Sequence, residues 1–315
     1  MMKAVQILGH ISSPRITTNY SMPKPTPISS EILIHVHAAG ITGDEIIWPE
    51  PYQTPSRIPG HDISGTIAAL GPDYDGSLKV GQEVFALIAA DRGEGQADYV
   101  VCSAEEVAPK PVSLSHAEAA ALPIPVLTAY EAIVDHVKIT SDAKTLVTGA
   151  SGAVGLQFVQ LVKRLTSAHV VALASPRHHD ALRRLGADEV IDYATSSWEK
   201  SIENVDVVFD TVGGEVLART WEVVKDDGVI VTVGDPAPAW AFGRGEAPEA
   251  STYPGVKYTH FIVSPNAKRL EEVAKMFDEG LMKPLAVRAF DFDQAEQAWE
   301  YAQQRGRGYK AIIEF

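Results

Sequence analysis

The sequence predicts an α/β protein, with a β-rich first domain followed by a doubly wound domain built on a parallel sheet. Three observations carry this reading. From residue 144 to residue 233, strand-like apolar runs alternate with helical runs, which is the pattern of parallel strands joined by crossover helices. The first of these strands enters the glycine-rich run KTLVTGASGAVG (144–155), which opens directly into an amphipathic helix. Ahead of it the strands are short and broken by Gly and Pro. At 315 residues the chain is too long for one typical core and fits two domains. We place the first at 1–121 with 264–315 and the second at 122–263.

In the first domain, strands are expected at 3–8, 31–38, 62–70, 83–88 and 97–102. The run 21–30 carries three prolines, which lack backbone donors, and reads as a loop. Ser115-x-x-Glu118 is a capping box that starts a helix, and a second helical stretch follows Pro125. Toward the end of the chain, helices are expected at 266–278, capped by Ser264 and Pro265, and at 294–304, capped by Asp293-x-x-Glu296. A final strand at 310–315 would return to close the first domain.

In the second domain, the strand at 144–147 leads into a turn that fits G-x-G-x-x-G with Ala150 in the first place, then Gly152 and Gly155. Gly152 would let a pyrophosphate approach the backbone, Gly155 would let helix and strand pack closely, and the free N–H groups of the helix start attract phosphate. This is a dinucleotide-binding turn. The next strand, 169–174, ends in Ser175-Pro176-Arg177, where an NAD-binding fold places Asp or Glu on the ribose diol. Ser175 and Arg177 favour a 2′-phosphate, hence NADPH. Ser175 is equally an N-cap for the helix at 177–185, and the two roles are compatible. Further strands are expected at 189–193, 205–210 and 229–233, with a helix at 215–224. The stretch 235–255, rich in Pro, Gly, Ala and Glu, reads as an irregular loop or mobile flap.

Composition narrows the function class. The net charge of −14 argues against nucleic acid or an anionic membrane as partners. The single cysteine, Cys102, excludes an intramolecular disulfide and a four-Cys zinc lobe and suits a reducing compartment. No secretory leader and no stretch near 20 apolar residues is apparent, so a cytoplasmic protein is expected.

Six segments in order resemble the zinc-free, quinone oxidoreductase-like branch of the medium-chain dehydrogenase/reductase superfamily: RIPGHDISGTI, ALPIPVLTAYEAI, TGASGAVG, LGADEVIDY, VVFDTVGG and GRGYKAIIEF. The resemblance implies a GroES-like catalytic domain interrupted by a Rossmann domain, with the active site in the cleft between them. It also implies NADPH-dependent reduction of quinones, enones or other activated double bonds, usually by a homodimer. Transferred by position, Ala150, Ser151, Gly152, Ala153 and Val154 would bind pyrophosphate. Ser175, Arg177 and Tyr193 would take the adenosine phosphate and Val212 the ribose. Thr128, Phe261, Val263 and Lys310 would lie near the nicotinamide half.

Zinc-dependent relatives place Cys and His in the segments that hold Thr42 and His61 here. Catalytic zinc needs three protein ligands, so no metal is expected. The resemblance puts Tyr52, Thr42, Glu45, His61 and Thr128 around the cleft. Tyr52 and His61 are candidate proton donors, water is a third, and Thr42 with His61 would form the proton path of a zinc-free alcohol or ketone dehydrogenase. That dehydrogenase and a non-catalytic NADPH-binding subunit are the alternatives to an enone or quinone reductase. The segment YTHFIVS near 257–263 is apolar enough for an edge strand that pairs two copies of the chain.

Overall fold

The computed structural model describes residues 1–195 and 197–315. It divides into two compact units, Met1–Leu127 with Ser264–Phe315, and Thr128–Val263. The first division therefore falls at Leu127 rather than at residue 121, because the helix that begins at Pro123 runs through it.

The first unit opens with a two-stranded antiparallel ladder, β1 (Met2–His10) and β2 (Ser13–Met22). Then follow β3 (Ile32–Gly40), β4 (Asp62–Leu70), β5 (Glu83–Leu87), β6 (Tyr99–Cys102) and β7 (Val107–Pro109). In β3 the alternate residues Ile32, Ile34 and Val36 enter a core with Ile63, Ile67, Val84 and Val100, whereas His35 and His37 lie on the opposite, half-buried face. Helix α1 (His116–Ala119) starts at the expected capping box: Ser115 Oγ accepts from Glu118 N, and Glu118 Oε2 accepts from Ser115 N. Helix α2 (Pro123–Glu131) continues as one π-helical turn, Ala132–His136. The helical run His116–His136 is long and apolar enough to cross a membrane by composition, which corrects the expectation that no such stretch exists. Its window is 78% buried inside the protein, as in the core helix of a globular fold.

The second unit holds β8 (Lys144–Val147), α3 (Ala153–Leu165), β9 (His169–Leu173), α4 (His179–Leu185), β10 (Glu189–Ile191), β11 (Val205–Asp210), α5 (Gly214–Thr220), β12 (Val224–Thr232) and β13 (Lys257–His260). All strand pairs are parallel, in the order β10-β9-β8-β11-β12-β13. The order reverses between β8 and β11, and a doubly wound sheet binds ligands at that switch point, beyond the carboxyl ends of its strands. Leu146, Val171, Val208 and Ile230 from four adjacent strands pack with Trp198, Trp221 and Trp240 in one core. The helix expected at 215–224 ends at Thr220, and β12 begins at Val224, well ahead of the expected 229. Between β12 and β13 the chain is irregular apart from short 3₁₀ turns at Ala241–Gly243 and Pro248–Ser251.

The chain then returns to the first unit with α6 (Ala267–Asp278), β14 (Val287–Asp291), α7 (Ala295–Ala302) and β15 (Lys310–Glu314). Both expected caps are displaced. Asn266 caps α6 by accepting from Arg269 N, and Asp291 forms a capping box with Gln294 ahead of α7. β15 lies between β14 and β3, inside a seven-stranded sheet ordered β14-β15-β3-β4-β5-β7, with β6 also on β3. The fold is thus α/β, with a GroES-like β-domain and a Rossmann domain.

Candidate cofactor turn and a buried charge cluster

In the second unit, β8 ends at a turn that only particular residues can make. Gly149 has φ of +59°, and a Cβ there would stand 2.4 Å from Thr211 Oγ1, so the turns after β8 and β11 touch at the switch point. Gly155 has no room either, because its Cβ would meet Gly149 O at 2.5 Å and Ala150 Cα at 2.7 Å. Ala150 is fully buried, with its N–H given to Leu173 O at 3.1 Å. The residue that needs glycine for the tight turn is therefore Gly149, one place before the first position of the motif as read from sequence. Ser151, Ala153 and Val154 are half-buried and Gly152, the N-cap of α3, is exposed, so the first turn of the helix offers its unpaired N–H groups to solvent. Those residues fit a pyrophosphate.

Asp210, fully buried at the end of β11, organises the same edge. Its carboxylate accepts from Thr148 Oγ1 at 2.5 Å, Thr232 Oγ1 at 2.6 Å, Gly213 N at 2.9 Å and Val212 N at 3.3 Å. It ties the ends of β8, β11 and β12 and the turn that presents the exposed Val212. Sequence reasoning placed Asp210 only as a strand end. The available signal was an acid following the apolar run VVF.

At the end of β9, Ser175 stands at the N-cap position of a 3₁₀ turn, Pro176–His178, without a side-chain capping bond. Arg177 is exposed, and its Nε donates to His178 Nε2 at 3.0 Å. Partial burial, with the Arg177 charge next, holds the His178 imidazole below its ordinary value. Tyr193 is also exposed, and residues 174–179, which follow β9, include no acid. Elsewhere in this unit Thr128 and Phe261 are buried, Val263 is half-buried, and the Phe261 ring stacks on His136 at 4.2 Å.

The first unit gathers four buried ionisable groups. Glu45 Oε1 accepts from Gly60 N at 2.6 Å and lies 3.4 Å from His61 Nε2, while His61 Nδ1 faces Ile88 O at 3.1 Å. Asp62 Oδ1 accepts from Ile124 N at 2.6 Å, and its Oδ2 pairs with Lys310 Nζ at 3.3 Å. Lys310 Nζ also reaches Thr42 Oγ1 at 3.4 Å. Burial pushes the Glu45 carboxyl up, opposed by the His61 charge, and pushes Asp62 up, opposed by the Lys310 ammonium. Lys310 thus belongs to this unit and joins Thr42. Tyr52 does not join them: its hydroxyl donates to Ile46 O at 2.6 Å, its ring packs beside the Trp299 cluster, and burial pushes the pKa of its phenol up. The donor set does not fit catalytic zinc, because Thr42 is a neutral hydroxyl, His61 is turned toward Glu45 and Ile88, and the Asp62 oxygen already meets a cation. Among the described residues no group of three His, Cys, Asp or Glu is arranged to hold a metal.

Comparison with known proteins places this geometry. Residues 29–112 match the family described as alcohol dehydrogenase GroES-like domain, and residues 185–312 the family described as zinc-binding dehydrogenase. The NAD(P)H oxidoreductase RTN4IP1, mitochondrial, of Danio rerio is 30% identical over 95% of this chain and 88% of its own length. The chain belongs to the quinone oxidoreductase-like branch of the medium-chain dehydrogenase/reductase superfamily. Within that branch it is similar to the quinone-oxidoreductase QR1, chloroplastic, of Triphysaria versicolor, at 29% identity over 100% of this chain and 98% of the relative. The solved quinone oxidoreductase from Coxiella burnetii superposes with a TM-score of 0.86 at 25% identity, covering 100% of this chain and 99% of that one. All three are named as oxidoreductases, and the Danio rerio relative as one that uses NAD(P)H.

Proposed function

We propose that the protein is an NADPH-dependent reductase acting on the conjugated C=C bond of quinones, enones or related acceptors. The observation that carries this reading is the segment that follows β9, with Ser175, Arg177 and His178 and no acid before Asp180, beside the accessible turn of α3. A carboxylate there would repel a 2′-phosphate, whereas a guanidinium forms charge-assisted bonds with one. When bound, the cofactor supplies hydride. The protein's part is to hold the phosphates on the N–H groups of α3, to set the β11 turn through Asp210, and to place donors against the acceptor's oxygen.

We extend the proposal to a zinc-independent, cytoplasmic homodimer that binds neither nucleic acid nor membrane. A steady-state NADPH oxidation screen over quinones, enones, enoyl thioesters and simple ketones tests the activity. Turnover confined to ketones supports the zinc-free dehydrogenase instead, and binding of NADPH without turnover of any acceptor supports a non-catalytic subunit. Dialysis against a strong chelator should leave both rate and Tm unchanged. Stoichiometric zinc whose removal abolishes activity would overturn the metal-free part.

A further inference from the structure

We propose that Thr42 donates a hydrogen bond to the acceptor's carbonyl oxygen and that the buried Lys310–Asp62 pair polarises it for that role. The inference rests on the reductase reading above and assigns the group that meets the developing negative charge.

The Lys310 side chain is 6% exposed and Asp62 1%. An ion pair at that depth is a poor stability device, since desolvation offsets most of its attraction and an apolar pair of similar volume would do as well. What distinguishes this pair is its third contact. The ammonium turns toward Thr42 Oγ1, and Thr42 is half-buried, so the chain of contacts leads from a closed interior to a residue at its margin. Thr42 Oγ1 accepts from Lys310, which leaves its own hydrogen to be donated outward.

The hydroxyl is also held in place. Ile41 N donates to Ala311 O at 3.0 Å, one residue from Lys310, and Thr42 O accepts from Glu45 N at 3.1 Å. Gly40 packs so closely that a Cβ would stand 2.6 Å from Ala120 O and 3.0 Å from Asp62 Cβ. β3 and β15 are paired in register through Gly40 and Ile312, so the donor, two residues past the end of β3, and its cation, the first residue of β15, lie at adjacent strand ends of one sheet.

Hydride addition to the carbon β to a carbonyl moves the C=C electron pair toward the carbonyl and leaves the charge on its oxygen. A fixed O–H donor backed by a cation in a low-dielectric interior stabilises that oxygen without reorganisation. Thr42 is then a catalytic residue, and Lys310 and Asp62 are positioning residues.

The test combines kinetics with melting. Thr42→Val should lower kcat by about 10²- to 10³-fold, the usual loss for one oxyanion donor. The KM for NADPH and the Tm should stay near wild type, and Thr42→Ser should restore kcat. Lys310→Met should lower both kcat and Tm, because it leaves Asp62 buried and unpaired. Lys310→Met with Asp62→Asn should recover the Tm and not the kcat. Thr42→Val that keeps kcat within about threefold of wild type, or a double variant that recovers rate together with Tm, refutes the inference alone. A wild type that turns over no quinone or enone refutes the reductase reading and the inference with it.

Discussion

Replacing Asp210 with Asn swaps one carboxylate oxygen for an NH2 group at a point where both oxygens are in use. Oδ2 accepts from Gly213 N and Thr232 Oγ1, and Oδ1 from Val212 N and Thr148 Oγ1. Whichever way the amide is turned, one backbone N–H faces another donor. The cheaper choice places NH2 against Val212 N, the longest of the four bonds at 3.3 Å, and against Thr148 Oγ1, which also accepts from Thr211 N at 3.1 Å. One backbone donor is then unsatisfied and charge assistance is lost throughout, for a destabilisation of about 2 kcal/mol. Asp210→Ala removes all four acceptor contacts and should cost about 4 kcal/mol. For a unit of this size, Tm should fall by about 6 °C for Asn and about 12 °C for Ala. Tryptophan fluorescence suits the melt, since Trp198, Trp221 and Trp240 lie in the core of the same unit. A fluorescence titration should also show weaker NADPH binding, because the turn through Val212 is no longer held. An Asn variant melting within about 1 °C of wild type, or an Ala variant no worse than Asn, refutes the claim that Asp210 anchors three strand ends.

Arg177→Ala should weaken NADPH by about 1 to 3 kcal/mol, roughly 5- to 150-fold in Kd, and leave NADH nearly untouched; equal loss for both cofactors sinks the selectivity argument. Light scattering at micromolar concentration should report twice the 33.9 kDa chain mass. Since β13 forms one edge of its sheet, Pro at Thr259 should convert the dimer to monomer, and a wild-type mass of one chain contradicts the pairing. A third measurement concerns pH. Burial and neighbouring imidazoles hold His37 and His116 below 6.5, their rings 4.5 Å apart, with Glu83 acting in the opposite sense on both. Their contribution is present above 6.5 and is lost as pH falls through the depressed folded values, because the unfolded chain binds the extra protons. His37→Gln should flatten stability over that acidic window in urea melts, and an unchanged pH slope counts against the assignment.

The second unit was the more legible half, because parallel strands buried on both faces stand out as apolar runs and their helices keep a clear period. Glu189, Val205 and His169 begin strands where expected, and Val154, Phe158 and Leu161 mark α3. What escaped in the first unit is strand with little to bury. β2 carries one buried residue, Ile16, and β14 one, Phe290, so neither shows an alternating pattern. The helix caps moved because Ser, Asp and Asn cluster ahead of α6 and α7, and spacing alone does not say which side chain turns back onto the helix. The charge cluster was half visible. Thr42, Glu45 and His61 were grouped through the resemblance and Lys310 was placed apart from them, because Lys310 follows Asp62 by most of the chain, and only the pairing of β15 with β3 brings Lys310 to Thr42. Asp210 was hidden for a similar reason, since its partners Thr148 and Thr232 come from other strands.

The position of β15 bears on how the molecule is made. It is an interior strand of the first unit's sheet, yet it is synthesised after the other elements of the described residues. The second unit is complete in sequence by Val263 and can fold as the chain emerges, whereas the first must wait with a slot open between β14 and β3. Until that slot is filled, Asp62 has no ammonium beside it and Thr42 has no cation behind its hydroxyl. A ribosome that stops short of Lys310 would release a chain with a finished nucleotide fold and an unfinished neighbour. The two sheets are therefore completed at different moments of synthesis, and the strand that completes the first carries the ammonium that meets Asp62 and Thr42.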